Sequence, residues 1–168
     1  VGEKMQKRIL QAKSELNSVG GVIEAIALHL PAGIGAPYFD SVESMLSHAL
    51  FSVPAVKGVE FGDGFGFAGL TGAEANDALH YVDGKVQALT NHNGGVTGGI
   101  TNGMPLVVRV AIKPTPSIAR EQQTVSLKEQ ADTTLAIVGR HDPCIVQRAV
   151  PVIEAVVAWT LWDLLLEA

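Results

Sequence analysis

Pro105-Leu106-Val107-Val108-Arg109-Val110-Ala111-Ile112 reads as a strand, because aliphatic and β-branched residues fill it and Arg109 is its one charge. Upstream, Asn91-His92-Asn93-Gly94-Gly95-Val96-Thr97-Gly98-Gly99-Ile100 sets four glycines among amides in a polar loop. Downstream, Lys113-Pro114-Thr115-Pro116-Ser117-Ile118 follows the strand at once with a cation, two hydroxyls and two prolines. Toward the N-terminus, Met5, Ile9, Ala12 and Leu16 recur at helical spacing among Lys and Gln, and Gly20-Gly21 ends that helix. Val22 to Leu30 is expected to be a strand with both faces covered, Glu24 excepted. After a Gly/Pro loop from Pro31 to Pro37, Asp40 is expected to cap a helix with Glu43 as its capping-box partner. The buried stripe of that helix is Val42, Met45, Leu46, Ala49 and Leu50.

Val53 to Phe61 reads as another strand, ended by the turn Gly62-Asp63-Gly64, with Phe65 to Leu70 as a possible further one. Residues 71–90 are polar and irregular, a mobile excursion on this reading. Ala119 to Leu135 is polar, with a short strand at Thr124-Val125. Asp142-Pro143 has the form of an N-cap followed by proline at the first helical position. Pro151 is expected to kink the helix or start a second one. The helix to Leu166 is apolar almost all round, which makes it a core helix with Trp159 and Trp162 inside. The order is helix, strand, helix, several strands, helix, without a fixed-period repeat. That is a single α+β domain over residues 1–168, not a doubly wound parallel sheet.

The chain has 168 residues, a net charge of −5 and a pI near 5.5. That balance points away from nucleic acid, and it leaves any anionic ligand to be held by local arginines and lysines. One cysteine, Cys144, excludes an internal disulfide and suits a reducing, cytoplasmic compartment. The opening residues carry no secretory pattern. The apolar run Ala149–Leu166 contains Glu154, Asp163 and Pro151, so it is read as a buried helix and not a membrane span. His29, His48 and His80 lack metal-ligand spacing, and no metal is expected. A generic nucleotide-binding domain is disfavoured: no G-x-x-x-x-G-K-[ST] occurs, and Gly62-Asp63-Gly64-Phe65-Gly66 reads as a strand turn.

Gly139-Arg140-His141-Asp142-Pro143-Cys144 packs a cation, an imidazole, a carboxylate and a thiol into six residues. Together with the glycine loop and Lys113–Ile118 it resembles the chorismate synthase family. So do Ala55-Val56-Lys57-Gly58-Val59-Glu60-Phe61-Gly62-Asp63-Gly64-Phe65, Ser18-Val19-Gly20-Gly21-Val22 and Arg148-Ala149-Val150-Pro151. The motifs stand in the family's order and cover nearly the whole chain. They match the C-terminal half of the family's sequence; the Arg-Pro-Gly-His and Ser-Gly-Arg-type segments and two key histidines belong to the other half. A fragment is therefore expected.

The resemblance implies a β-α-β sandwich, antiparallel sheets around a helical layer, of which this is the C-terminal part, and a homotetramer. It implies a lyase of the shikimate pathway of aromatic amino-acid biosynthesis. The reaction is a 1,4-elimination of phosphate from 5-enolpyruvylshikimate 3-phosphate, giving chorismate. The cofactor is reduced FMN, with NADPH involved only indirectly in flavin reduction. The partners are this small phosphorylated substrate and further copies of the chain, with no nucleic acid and no membrane. Carried over by motif, Asp142 is the catalytic proton relay and Arg140 binds flavin and substrate. Lys113, Pro114, Thr115, Pro116 and Ser117 form the flavin-phosphate segment, Gly98 lies along the flavin, and Ala55 contributes through its backbone. Asp142 could also cap its helix, and the two roles are compatible. His92, with Asn91 and Asn93, could polarise a ligand or hold the loop. His141 is read as a structural hydrogen-bonding residue. The alternative to an enzyme is a non-catalytic flavin-binding or oligomerisation module.

Overall fold

A computed structural model describes residues 1–168. Along the chain run α1 (Gly2–Ser14), β1 (Gly21–Ala27), α2 (Val42–Ser52) and β2 (Val56–Phe61). Two small hairpins follow, β3 (Leu79–Val82) with β4 (Lys85–Ala88), and β5 (Val96–Thr97) with β6 (Ile100–Thr101). Then come β7 (Leu106–Ile112), a third hairpin of β8 (Gln122–Ser126) and β9 (Ala131–Leu135), and α3 (Val146–Glu167).

The strand expected at Pro105–Ile112 is the centre of the molecule. β7 lies between β1 and β2 and pairs antiparallel with both, in the order β1-β7-β2. Its alternation is strict: Leu106, Val108, Val110 and Ile112 are buried, while Val107, Arg109 and Ala111 face the other side. Ile23 and Ala25 of β1 and Val56 of β2 extend the inner face. α2 and α3 cover it with Val42, Leu46, Leu50, Ile153, Val157, Leu161 and Leu164, and these residues form one core. The element order therefore yields the α+β class, with helices on one face of an antiparallel sheet.

Several local expectations are corrected. The outer face of β1 is open, with Val22, Ile26 and Leu28 exposed, because no layer packs on that side of the sheet. α2 is capped by Ser41 and not Asp40: the Ser41 hydroxyl accepts from the Ser44 amide at 3.1 Å, while Asp40 sits in a short 3-10 turn. Residues Gly64–Gly69 form a 3-10 helix instead of a strand. The stretch 71–90 carries the β3–β4 hairpin, joined at Asp83-Gly84, both at positive φ. The strand signal at Thr124-Val125 is one arm of the β8–β9 hairpin. α3 starts at Val146, and Ile145 caps it without a side-chain bond, so Asp142-Pro143 is not its cap. Pro151 stands inside one continuous helix. It falls in the second turn, where the one lost amide bond does not break the run. α3 is buried along one stripe only, leaving Trp159 at 78% and Trp162 at 65% exposure, outside the core that was expected to hold them.

Candidate active site

The Ile112 end of β7 is where the separated motifs meet. The Lys113 amide donates to the Ala55 carbonyl at 2.9 Å, which places the end of the α2–β2 connection against the start of the Lys113–Ser117 segment. Ala55 adopts φ 73°, a left-handed conformation that is uncommon for a residue with a Cβ, so the turn here is held in a costly shape. The Ser18 hydroxyl donates to the Thr115 carbonyl at 2.6 Å. The next residue, Val19, donates its amide to the Pro143 carbonyl at 2.9 Å. Gly20 makes this possible: a Cβ there would collide with the Ile112 carbonyl and crowd Pro114. The turn Ser18–Gly20 thus joins the Lys113–Ser117 segment to Pro143, next to Arg140–Asp142, and the Lys113 amide adds Ala55 to the group.

Side chains in this cluster are mostly free of one another. Lys113, Pro114 and Pro116 are exposed, and Thr115 and Ser117 are half-buried. The Thr115 hydroxyl is shielded from solvent yet has no hydrogen-bond partner. Arg140 is exposed and approaches Asp142 Oδ1 only at 3.8 Å. Asp142 Oδ2 is held more closely, at 2.9 Å, by Arg148 Nη1 from the first turn of α3. His141 Nε2 lies 2.8 Å from the Ile137 carbonyl oxygen, within hydrogen-bonding distance. Beside the cluster, Val19, Gly20 and Cys144 line a groove of about 330 Å³ that Lys4 and Arg8 of α1 close on the other side.

Gly98 stands elsewhere. It lies in the β5–β6 turn at φ 63°, exposed, with open space where a Cβ would be. Its neighbour Gly99 accepts from the Val42 amide at 3.0 Å, so the turn sits at the N-terminal end of α2, whereas Ala55 follows the C-terminal end. Eleven residues of α-helix, about 16 Å, separate those two ends.

The glycine loop itself is bound to the polar excursion before it. Asp77 accepts from the Thr90 hydroxyl at 2.7 Å, the His92 amide at 2.8 Å, and the Asn93 amide and side chain at 3.0 and 2.8 Å. Partial burial works against its charge, but these bonds outweigh that and hold the carboxyl down at about 2, from an ordinary 3.8. His92 Nδ1 lies 2.6 Å from Asp63 Oδ2, and the His92 carbonyl accepts from the Asp63 amide at 2.8 Å. Asn91 bridges the Pro105 carbonyl and the Gly95 amide. Of the two readings open for these three residues, the contacts present are those that hold the loop.

A family model for chorismate synthase matches residues 1–166. The chain belongs to the chorismate synthase family. It is 49% identical over 160 residues to chorismate synthase of Korarchaeum cryptofilum, covering 95% of this chain and 44% of that protein. It is 51% identical over 164 residues to that of Thermococcus gammatolerans, covering 98% and 46%. A solved structure, "Crystal Structure of Chorismate Synthase", superposes with a TM-score of 0.79 at 34% identity over 98% of this chain and 42% of that one. The chain spans about half the length of the curated chorismate synthases it matches.

The motif-based site left out Ser18, Arg148, Asp63 and Asp77. Ser18 and Arg148 lie inside stretches that resemble the family, but nothing local marks Ser18 as a contact. Arg148 did carry a physical signal: a cation in the first turn of a helix opposes the helix dipole and needs an anion nearby.

Proposed function

We propose that this chain supplies the C-terminal part of a reduced-FMN-dependent chorismate synthase. It would convert 5-enolpyruvylshikimate 3-phosphate to chorismate by 1,4-elimination of phosphate. The observation that carries the reading is the meeting of Ala55, Lys113–Ser117 and Arg140–Asp142 at one end of β7 in a chain of this family.

The residues present fit a phosphate-bearing flavin. Lys113 offers a mobile point charge. Ser117 adds a hydroxyl donor, and the unpartnered Thr115 hydroxyl is a donor still lacking an acceptor. Pro114 and Pro116 stiffen the segment, which reduces the ordering lost on binding. Arg140, exposed and loosely paired, can swing from Asp142 to a carboxylate or phosphate of either ligand. Bound reduced FMN supplies an electron-rich partner for an elimination without net redox change. The protein's own part in the chemistry is Asp142, whose Oδ1 is the carboxylate oxygen open to accept the proton.

The substrate brings a phosphate and two carboxylates, and FMN brings another phosphate. Lys113 and Arg140 cannot neutralise all of these. The 168-residue chain alone is therefore proposed to bind FMN weakly and to lack turnover, while the family-length protein is a cytoplasmic homotetramer. Apolar surface such as Trp159 and Trp162 supports association, since exposed aromatic patches mark contact surfaces. The test is an FMN titration followed by fluorescence, then phosphate release assayed anaerobically with reduced flavin. Weak binding without phosphate release is expected from the chain, and release from the family-length protein. Turnover by the chain alone would overturn the division, and absence of FMN binding in the family-length protein would overturn the function.

A further inference from the structure

We infer that Arg148 is a positioning residue, which fixes the Asp142 carboxylate so that one oxygen stays committed to the protein and the other stays available. The inference rests on the proposed role of Asp142. Three observations lead to it. Arg148 sits in the first turn of α3, where a positive charge is disfavoured by the helix dipole. That turn contains no acidic residue, and Ile145 provides no side-chain cap, so Asp142 is the anion that meets the charge. The contacts are unequal: Arg148 Nη1 is 2.9 Å from Oδ2, whereas Arg140 Nη2 is 3.8 Å from Oδ1.

The backbone around the pair is fixed on both sides. The Pro143 carbonyl is bonded by Val19 and the His141 ring by Ile137. The Arg148 amide donates to the Ile145 carbonyl at 3.0 Å, which seats it in the opening turn. With both Cα positions set, the Arg148–Oδ2 contact chooses the rotation of the Asp142 carboxylate. Arg140 and Arg148 then divide the labour. Arg148 orients the carboxylate, and Arg140 keeps its guanidinium free for an anionic ligand. An exposed ion pair of this kind contributes little to stability, so its effect is expected in turnover and not in melting temperature.

The test uses the family-length protein with Arg148→Gln, Arg148→Lys, Asp142→Asn and the double variant Asp142→Asn/Arg148→Gln. Arg148→Gln is expected to lower kcat about ten- to a hundredfold through a misplaced carboxylate. KM, FMN affinity by fluorescence titration and Tm should stay near wild type. The Arg148–Asp142 contact is made by one nitrogen to one oxygen, so a lysine point charge should restore kcat to within about threefold. The double variant should be no worse than Asp142→Asn within about twofold, because Arg148 acts only through that carboxylate.

If Asp142→Asn is impaired while Arg148→Gln turns over normally, or if the two losses add, the positioning role is overturned and the proposed function stands. If Arg148→Gln fails to fold, an Arg148→Lys protein that folds but stays as slow as Asp142→Asn also overturns it. An Asp142→Asn protein with wild-type turnover removes Asp142 from the reaction and takes both readings with it.

Discussion

At the Ile112 end of β7 the chain is tied chiefly by main-chain bonds, Lys113 to Ala55 and Val19 to Pro143, with Ser18 adding one hydroxyl. At the Leu106 end main-chain bonds such as Val107 to Gly94 and Asp63 to His92 are reinforced by side chains, with Asp77, Asp63 and Asn91 holding the glycine loop. The difference has a chemical consequence. Where backbone does the holding, Lys113, Thr115 and Arg140 are left with unused donors. Where carboxylates and amides do the holding, their polar atoms are already satisfied. Glycines complete the second arrangement: Gly62 could not carry a Cβ without striking the His92 carbonyl. Functional side chains are thus expected to gather at the Ile112 end, and substitutions at the two ends should fail in different ways, in binding and turnover at one and in local stability at the other.

The sharpest way to break that contrast is Asp142→Asn in the family-length protein. A general acid–base group typically contributes about 10²–10⁴-fold, so turnover should fall by at least about 10². FMN affinity should hold, and so should folding, since Asp142 does not cap α3. Phosphate release and a thermal melt measured on the same preparation decide it. A lowered melting temperature with normal turnover would mean that this end, too, serves stability.

Lys113→Ala and Arg140→Ala come next. A hydrogen bond to a charged group is worth about 1.5–3 kcal/mol, so each should weaken binding about ten- to a hundredfold. Lys113→Ala should act on FMN and Arg140→Ala on FMN and substrate, with melting temperatures unmoved because both side chains are exposed. Lys113→Arg should be partly tolerated, whereas Arg140→Lys should not rescue fully, since a planar fork is lost. Calorimetric titration with FMN, then with substrate on the flavin complex, reads both.

Much of this architecture was legible in the residues. β7 announced itself by its run of aliphatic and β-branched residues, and α2 by its 3.6-residue stripe, because burial on one face leaves a period in the sequence. Elements that bury little left a fainter one. β3–β4 and β8–β9 are largely exposed hairpins, and the only trace of them in the sequence reading was the short strand at Thr124-Val125. Cap assignments erred for a related reason. Asp40 and Asp142 both have capping chemistry, but Ser41 lies one residue closer to α2, and Asp142 is held by Arg148 instead. The motif residues Ala55, Lys113–Ser117 and Arg140–Asp142 could be named from resemblance, yet their meeting place depends on Ser18 and Gly20, which join segments far apart in the chain. Long-range bonds of this kind leave no periodic trace.

At the other end, Asp77→Ala should cost about 1–3 kcal/mol of local stability, because it leaves amide and hydroxyl donors of Thr90, His92 and Asn93 without their acceptor. Hydrogen exchange at the His92 and Asn93 amides should rise while exchange in β7 changes less. Limited proteolysis in the 90–95 segment would report the same opening. Equal acceleration throughout β7 would show that the loop end is part of the global core and not a separate holding device.

The smallest effect is the acid response of that same carboxylate. Its folded pKa, about 2, lies below the ordinary 3.8, so the deprotonated form is the one the fold favours. The stabilisation is complete above about pH 4 and is lost as the pH falls through about 2. Solvent screening reduces its size, since Asp77 is only partly buried. Other carboxylates titrate in the same range, so the informative quantity is a difference. Exchange at the His92 and Asn93 amides should quicken in the wild type between about pH 4 and pH 2 relative to Asp77→Asn, whose neutral side chain has no proton to gain there. Parallel pH profiles for the two proteins would remove the charge of Asp77 from what holds the loop and leave its hydrogen-bond geometry as the sole contribution.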